Sequence, residues 1–175
     1  MHDHLENETS RREFLRASVA GLVGATLVPT LVRSAEAPSS AGTMPMRALG
    51  KTGEKVSVLG LGGFHIGVGS LSDNESVRLI QEAIDNGVTF LDNAWCYHDG
   101  RSETRVGLAL PGRRDRVFLM TKNHGREKNV AMQHLEESLR RFKTDRIDLW
   151  MFHECVYEHD PDRIFASGGG IEAAV

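Results

Sequence analysis

The sequence predicts an α/β chain that forms part of a (β/α)8 TIM barrel, with about four βα units behind an N-terminal β-hairpin. Three observations carry this. Short apolar runs begin at Val56, Val88, Val117 and Ile147, about 30 residues apart. Each run is nearly continuous, as strands buried on both faces of a parallel sheet are. Each also ends in glycine or a reactive polar residue: Gly62-Gly63, Asp92, Lys122 and His153. Barrels place their chemistry at the C-terminal ends of several strands. A dinucleotide-binding doubly wound sheet instead wants Gly-x-Gly-x-x-Gly opening a helix. Gly60, Gly62 and Gly63 follow a strand, but no helix follows them at once.

Residues 1–37 read as a leader and not as part of the fold. Ser10-Arg11-Arg12-Glu13-Phe14-Leu15 resembles a twin-arginine export signal, and a moderately apolar stretch runs from Ala17 to Val32. Gly21, Gly24 and Pro29 interrupt that stretch, which is too short for a membrane anchor of about 20 apolar residues. Ala35 and Ala37 offer an Ala-x-Ala cleavage pattern, with a cut near Ala41 as the alternative. The expected destination is the periplasm, with the twin-arginine (Tat) export machinery as a partner. Residues 38–45 form a Pro/Ser/Gly linker, and the barrel portion covers 46–175.

Within that portion, Met46–Leu49 and Lys55–Ser57 flank Gly50 to Gly53 as a hairpin. The first barrel strand spans Val56–Leu61. Ser72 or Asp73 caps a helix with Val77, Ile80, Ala83 and Ile84 on one face, and Gly87 ends it. The second strand is Val88–Asp92. Ser102-Glu103 opens a shorter helix carrying Val106, Ala109 and Leu110. The third strand is Val117–Thr121. A helix from about Asn129 to Phe142 turns Met132, Leu135, Leu139 and Phe142 inward. The fourth strand is Ile147–Phe152. Asp160-Pro161-Asp162 reads as a turn, and Gly168-Gly169-Gly170 as a flexible entry to a helix starting near Ile171.

The net charge of -3 points to neither nucleic acid nor an anionic membrane as a partner. Two cysteines, Cys96 and Cys155, lack the spacing of a disulfide framework or a zinc ribbon. Cys96, Cys155, His65, His98, His124 and His159 are zinc-type donors. No two of them have ligand spacing along one element, so no metal is expected.

Taken singly, a strand-end Asp92 is a cap, Tyr97 a packed aromatic, Lys122 a solvated cation and His153 a structural histidine. Their joint placement at successive strand tips is what points to chemistry. The residues "LGLGGF" (59–64), "FLDNAWCYHDGRSE" (90–103), "FLMTK" (118–122), "LEESLRRFKTDRIDLWMFH" (135–153) and "GGGIEAAV" (168–175) resemble the aldo-keto reductase family. The resemblance implies reduction of a small-molecule carbonyl by NADP(H) or NAD(H). It implies Tyr97 as general acid, Lys122 as the cation that tunes the phenol, Asp92 as the carboxylate that aims Lys122, and His153 as a donor to the substrate oxygen. Gly62, Gly63, Phe64 and Asp92 would border the cofactor, and Trp95 the substrate pocket.

Four βα units are legible where the family barrel has eight, and "HECV" replaces a proline-aspartate pair common after the histidine. The expectation is therefore an N-terminal barrel half, truncated and weakly active or inactive alone. Its exposed sheet edges predict self-association. The alternatives are a non-enzymatic remnant or binding module and, more remotely, a metal-binding periplasmic protein.

Overall fold

The structure, a computed structural model, describes residues 43–174. The expected leader and most of the expected linker lie outside the described residues. Two strands, β1 (Met46–Ala48) and β2 (Lys55–Ser57), pair antiparallel with Arg47 opposite Val56. The turn between them holds Gly50 and Gly53 at φ of 55° and 87°, a region that glycine enters without the Cβ penalty.

The barrel sheet follows: β3 (Gly60–Gly62), β4 (Phe90–Asp92), β5 (Phe118–Asn123) and β6 (Leu149–Phe152). All three pairings are parallel, and each strand lies beside its predecessor. Strands laid down in one direction without reversal are a barrel's arrangement. A doubly wound sheet reverses order at its switch point.

The first barrel strand is shorter than residues 56–61, the range expected from the apolar run. Ser57 interrupts it. Its Oγ donates to the Leu59 carbonyl at 2.6 Å and accepts from the Thr89 backbone N–H at 2.8 Å, while its own N–H donates to Thr89 Oγ1 at 2.8 Å. Local side-chain bonds of this kind compete with a ladder. Residues 55–57 stay with the hairpin, and the barrel strand begins at Gly60.

Three helices pack against the sheet. The first, α1 (Asp73–Asp85), starts on a capping box: Glu75 N–H donates to Ser72 Oγ at 3.2 Å and Ser72 N–H to Glu75 Oε2 at 2.9 Å. Such a cap contributes about 1 kcal/mol. It buries Ile80 and Ile84 and gives way to Gly87 at φ 92°. The next, α2 (Arg101–Ala109), is led in by Gly100 at φ 82° with no side-chain cap. Ser102, expected to open the helix, lies in its first turn and donates its Oγ to the Gly63 carbonyl at 2.6 Å.

The third, α3 (Lys128–Phe142), buries Ala131, His134, Ser138 and Phe142. Of the expected inward set only Phe142 is fully buried. Met132 is exposed, and Leu135 and Leu139 line an open groove with Ile147, Trp150 and Ala173. The buried face instead carries Ala131, His134 and Ser138 beside Phe142. A six-residue helix, α4 (Asp160–Phe165), stands where a turn was expected. Pro161 lies in its first turn, where a missing N–H leaves nothing unpaired. The helix expected at residue 171 is a single 3-10 turn over Gly170–Ala173. Among the described residues no helix is long and apolar enough to cross a membrane.

Ile80, Ile84, Leu91, Val106, Leu119 and Phe142 form the core between helices and sheet. A carboxylate lies within it. Glu103 is fully buried and accepts from Thr121 Oγ1 and Ser138 Oγ at 2.7 Å each, and from Arg141 Nη1 at 3.0 Å. One residue thereby ties α2 to β5 and α3. Close helix contact is built in at Gly107, where a Cβ would lie 2.2 Å from the Arg141 carbonyl oxygen. Glu103→Ala leaves two buried hydroxyls without their acceptor and removes one of the two carboxylates that pair with Arg141. It is expected to lower stability by about 3–5 kcal/mol in urea unfolding. A loss under about 1 kcal/mol would show that the carboxylate does not organise this core.

Candidate active site

β4 ends at Asp92, and the chain leaves the sheet along the tip of β5. Asn93 N–H donates to the Met120 carbonyl at 3.0 Å and Trp95 N–H to the Lys122 carbonyl at 2.9 Å. His98, Asp99 and Gly100 then take φ of 51°, 56° and 82° in succession. A left-handed run is uncommon for residues with a Cβ. Here it reverses the loop into α2 and holds Tyr97 near the strand tips.

Lys122 organises these groups. Its ammonium forms an ion pair with the Asp92 carboxylate, donates to the Asn93 carbonyl at 2.8 Å, and lies 3.5 Å from Tyr97 Oη. It also stands 5.2 Å from the centre of the Tyr97 ring. An ammonium has three donors, and these three acceptors account for them.

His153 follows β6, with its N–H on the Asn123 carbonyl at 2.8 Å. Its ring meets Tyr97 edge-to-face at 5.7 Å between centres. Burial, with help from the neighbouring His124 and Lys122, holds the imidazole pKa below its ordinary value. The ring is therefore neutral near pH 7, and one nitrogen carries a single proton to donate. The structure thus brings Asp92, Tyr97, Lys122 and His153 to one rim.

The remaining expected residues divide. Phe64 packs edge-to-face on Tyr97 at 5.4 Å and is half exposed at the rim. Nothing lies within 4 Å of where a Gly62 Cβ would stand. Since Gly62 pairs with Asp92 in the sheet, open space lies beside that carboxylate. Gly63 has a structural reason instead: its Cβ would sit 2.7 Å from Asn93 Cγ and 2.8 Å from Ser102 Oγ. Trp95, expected in the substrate pocket, is turned toward α3. Its Nε1 donates to Glu137 Oε2 at 2.7 Å, its ring stacks on His134 at 3.7 Å, and Arg141 lies over it at 5.4 Å. An indole held by a stacked imidazole, a guanidinium and a bond at its N–H anchors the loop.

Sequence reading missed the support beneath His153. Arg126 donates to the His153 and Glu154 carbonyls at 2.8 and 3.0 Å and pairs with buried Asp160 at 3.0 Å. The Arg126 bond holds the Asp160 carboxyl below its ordinary range. It also missed Cys96 and His124 as neighbours of His153. Cys96 Sγ is 3.5 Å and His124 Nε2 2.8 Å from His153 Nδ1. Both cysteines are free.

The model of the aldo/keto reductase family matches residues 58–174. The chain belongs to the aldo/keto reductase family. An aldo-keto reductase, YhdN of Bacillus subtilis, is 35% identical over 125 residues, 63% of this chain and 38% of that protein. Methylglyoxal reductase YeaE of Escherichia coli is 37% identical over 99 residues, 54% of this chain and 34% of that protein. A Klebsiella pneumoniae aldo/keto reductase, solved in complex with NADP and acetate, superposes with a TM-score of 0.54 at 31% identity. That match covers 63% of this chain and 41% of the other. The chain spans about two-fifths of the length of the curated relatives it matches. In this aldo/keto reductase chain the matched segment includes all four rim residues, since Asp92, Tyr97, Lys122 and His153 fall within 58–174.

The loop anchor has a pH signature. His134, stacked beneath Trp95, has its pKa lowered from 6.5 chiefly by burial. Its contribution to stability is full above about 6.5 and is lost as pH falls toward and through the folded value, because the unfolded chain takes up the proton first. Urea midpoints measured at pH 7.5 and 5.5 are expected to fall on acidification, and to fall less in His134→Gln. An equal fall in the variant would remove His134 as a source.

Proposed function

We propose that the protein serves NADP(H)-dependent reduction of small aldehydes or ketones, exported by the twin-arginine route and working in the periplasm. The observation that carries the reductive chemistry is the Lys122 ammonium shared between the Asp92 carboxylate and Tyr97 Oη, 3.5 Å away. The Klebsiella pneumoniae relatives solved with NADP and with NADPH favour the phosphorylated cofactor over NAD. Support for export is the arginine pair Arg11-Arg12, the apolar stretch behind it and the Ala35-x-Ala37 end.

The residues present fit the reacting end of such a cofactor. Gly62 leaves open space beside Asp92, where any side chain would intrude, and Phe64 lies flanking Tyr97. Gly62, Phe64 and Asp92 would border the ring there. When bound, the cofactor supplies a hydride to the carbonyl carbon.

The chain's own groups handle the oxygen. Tyr97 gives its proton to the carbonyl oxygen as negative charge develops there. The phenolate left behind faces the Lys122 ammonium, an attraction on the order of 4 kcal/mol at an effective dielectric near 20. Asp92 keeps Lys122 in place, and neutral His153 offers an N–H toward the same oxygen.

A second reading, a non-catalytic binding module, draws on the sheet edges. Among the described residues β3 and β6 each have one strand neighbour, and unpaired edges favour association. NADPH consumption with short-chain aldehydes by the 175-residue chain separates the two readings. Slow turnover is expected, and Tyr97→Phe should cut it by about 10²–10⁴-fold. Unchanged turnover in that variant would exclude Tyr97 as the proton donor. Absence of both turnover and an NADPH-induced rise in Tm, with association that grows with concentration, would favour the module.

A further inference from the structure

Two side chains at the rim have no part in the reduction chemistry, although they touch one that does. Cys96 comes from the loop after β4, His124 from the residue after β5, and His153 from the residue after β6. One ligand atom from each lies within 4.8 Å of the other two. His153 Nδ1 is the shared point, 3.5 Å from Cys96 Sγ and 2.8 Å from His124 Nε2.

These spans suit a metal. Zinc–sulfur and zinc–nitrogen bonds of about 2.3 and 2.0–2.1 Å, at tetrahedral angles, set ligand separations of roughly 3.6 Å for sulfur–nitrogen and 3.3 Å for nitrogen–nitrogen. The cysteine and His153 are already at that span. The two imidazoles need to part by about half an ångström, and the cysteine and His124, which lie within 4.8 Å, to settle near roughly 3.6 Å.

The backbone under the trio is tied down. Trp95 N–H is bonded to the Lys122 carbonyl and His153 N–H to the Asn123 carbonyl, while Arg126 reaches the carbonyls of both His124 and His153. Ligand positions fixed by their supports are what a preorganised site requires. One thiolate and two imidazoles match a borderline-soft divalent ion, whereas magnesium and calcium take oxygen donors.

We propose that Cys96, His124 and His153 form a binding site for a zinc-class divalent cation, with its fourth position open at the same rim as Tyr97. Three protein ligands and an open position are the pattern of zinc sites that accept water or substrate. Binding forms a sulfur–metal bond and releases the thiol proton to solvent. It also occupies His153 Nδ1, which leaves Nε2 as the protonated nitrogen. That last consequence couples the cation to carbonyl reduction and rests on the reductase reading. The site itself does not.

Cobalt(II) serves as a spectroscopic probe for such a site. Titrated into the full 175-residue chain under reducing conditions, it is expected to give a thiolate-to-cobalt band that saturates at one equivalent. The band should vanish in Cys96→Ser, persist in Cys155→Ser, and need at least about tenfold more cobalt in His124→Ala. Tyr97→Phe should retain it, so failure of the reductase reading and failure of the site are told apart. Histidines elsewhere in the chain bring no thiolate and give no such band. A wild-type chain without the band, or a band that survives Cys96→Ser, overturns the proposal.

Discussion

The site depends on one largely buried ammonium held between a carboxylate and a phenol. Lys122 has a side chain 14% exposed, and Asp92, its counter-ion, is 39% exposed. A cation that far out of water needs a partner and hydrogen-bond acceptors. Asp92 supplies the first and the Asn93 carbonyl the second, and Tyr97 is left as the remaining neighbour. Carboxylate, carbonyl and phenol all come from the end of β4 and the loop that leaves it, so the geometry of that loop decides how the ammonium is shared.

Much of the rest of the fold can be understood as support for that loop. Its outer side is clamped to α3 through the Trp95 indole, its end is reversed by the left-handed run at residues 98–100, and its base lies against Gly63 and Ser102. Buried Glu103 sits just beyond and joins α2 to β5 and α3. On the opposite side of the rim, Arg126 and Asp160 hold the His153 backbone in the same manner. Two buried ionic clusters thus brace the loops that carry Tyr97 and His153, and neither cluster touches the phenol itself.

What the sequence made legible follows from periodicity. Parallel strands buried on both faces leave continuous apolar runs, and a barrel leaves its polar residues at the ends of those runs. Asp92, Lys122 and His153 could be placed at the rim from those two facts, and Tyr97 by its resemblance to a family loop. Local chemistry at Ser57 hid the true start of β3, because a serine inside an apolar run carries no sign of which backbone groups it will bond. Glu103, Asp160 and the His124–His153–Cys96 contact were invisible for a different reason. Each joins residues about 20 to 60 positions apart, and only the sheet register decides that they meet. Trp95 was expected at the substrate pocket because it shares a loop with Tyr97, but an aromatic there can face either way, and the helix that claims it lies some 40 residues downstream.

The account stands or falls on the coupling between Asp92 and Lys122. A double-mutant cycle of Asp92→Asn and Lys122→Met, read as urea unfolding free energy, measures that coupling without requiring turnover. Removing the carboxylate alone leaves a largely buried ammonium without its counter-ion, while removing both does not. The account predicts a double variant less destabilised than the sum of the single ones, by about 0.5–3 kcal/mol. Additivity within about 0.3 kcal/mol would mean that the ammonium is not held by the carboxylate, and the proposed basis for activating Tyr97 would fail.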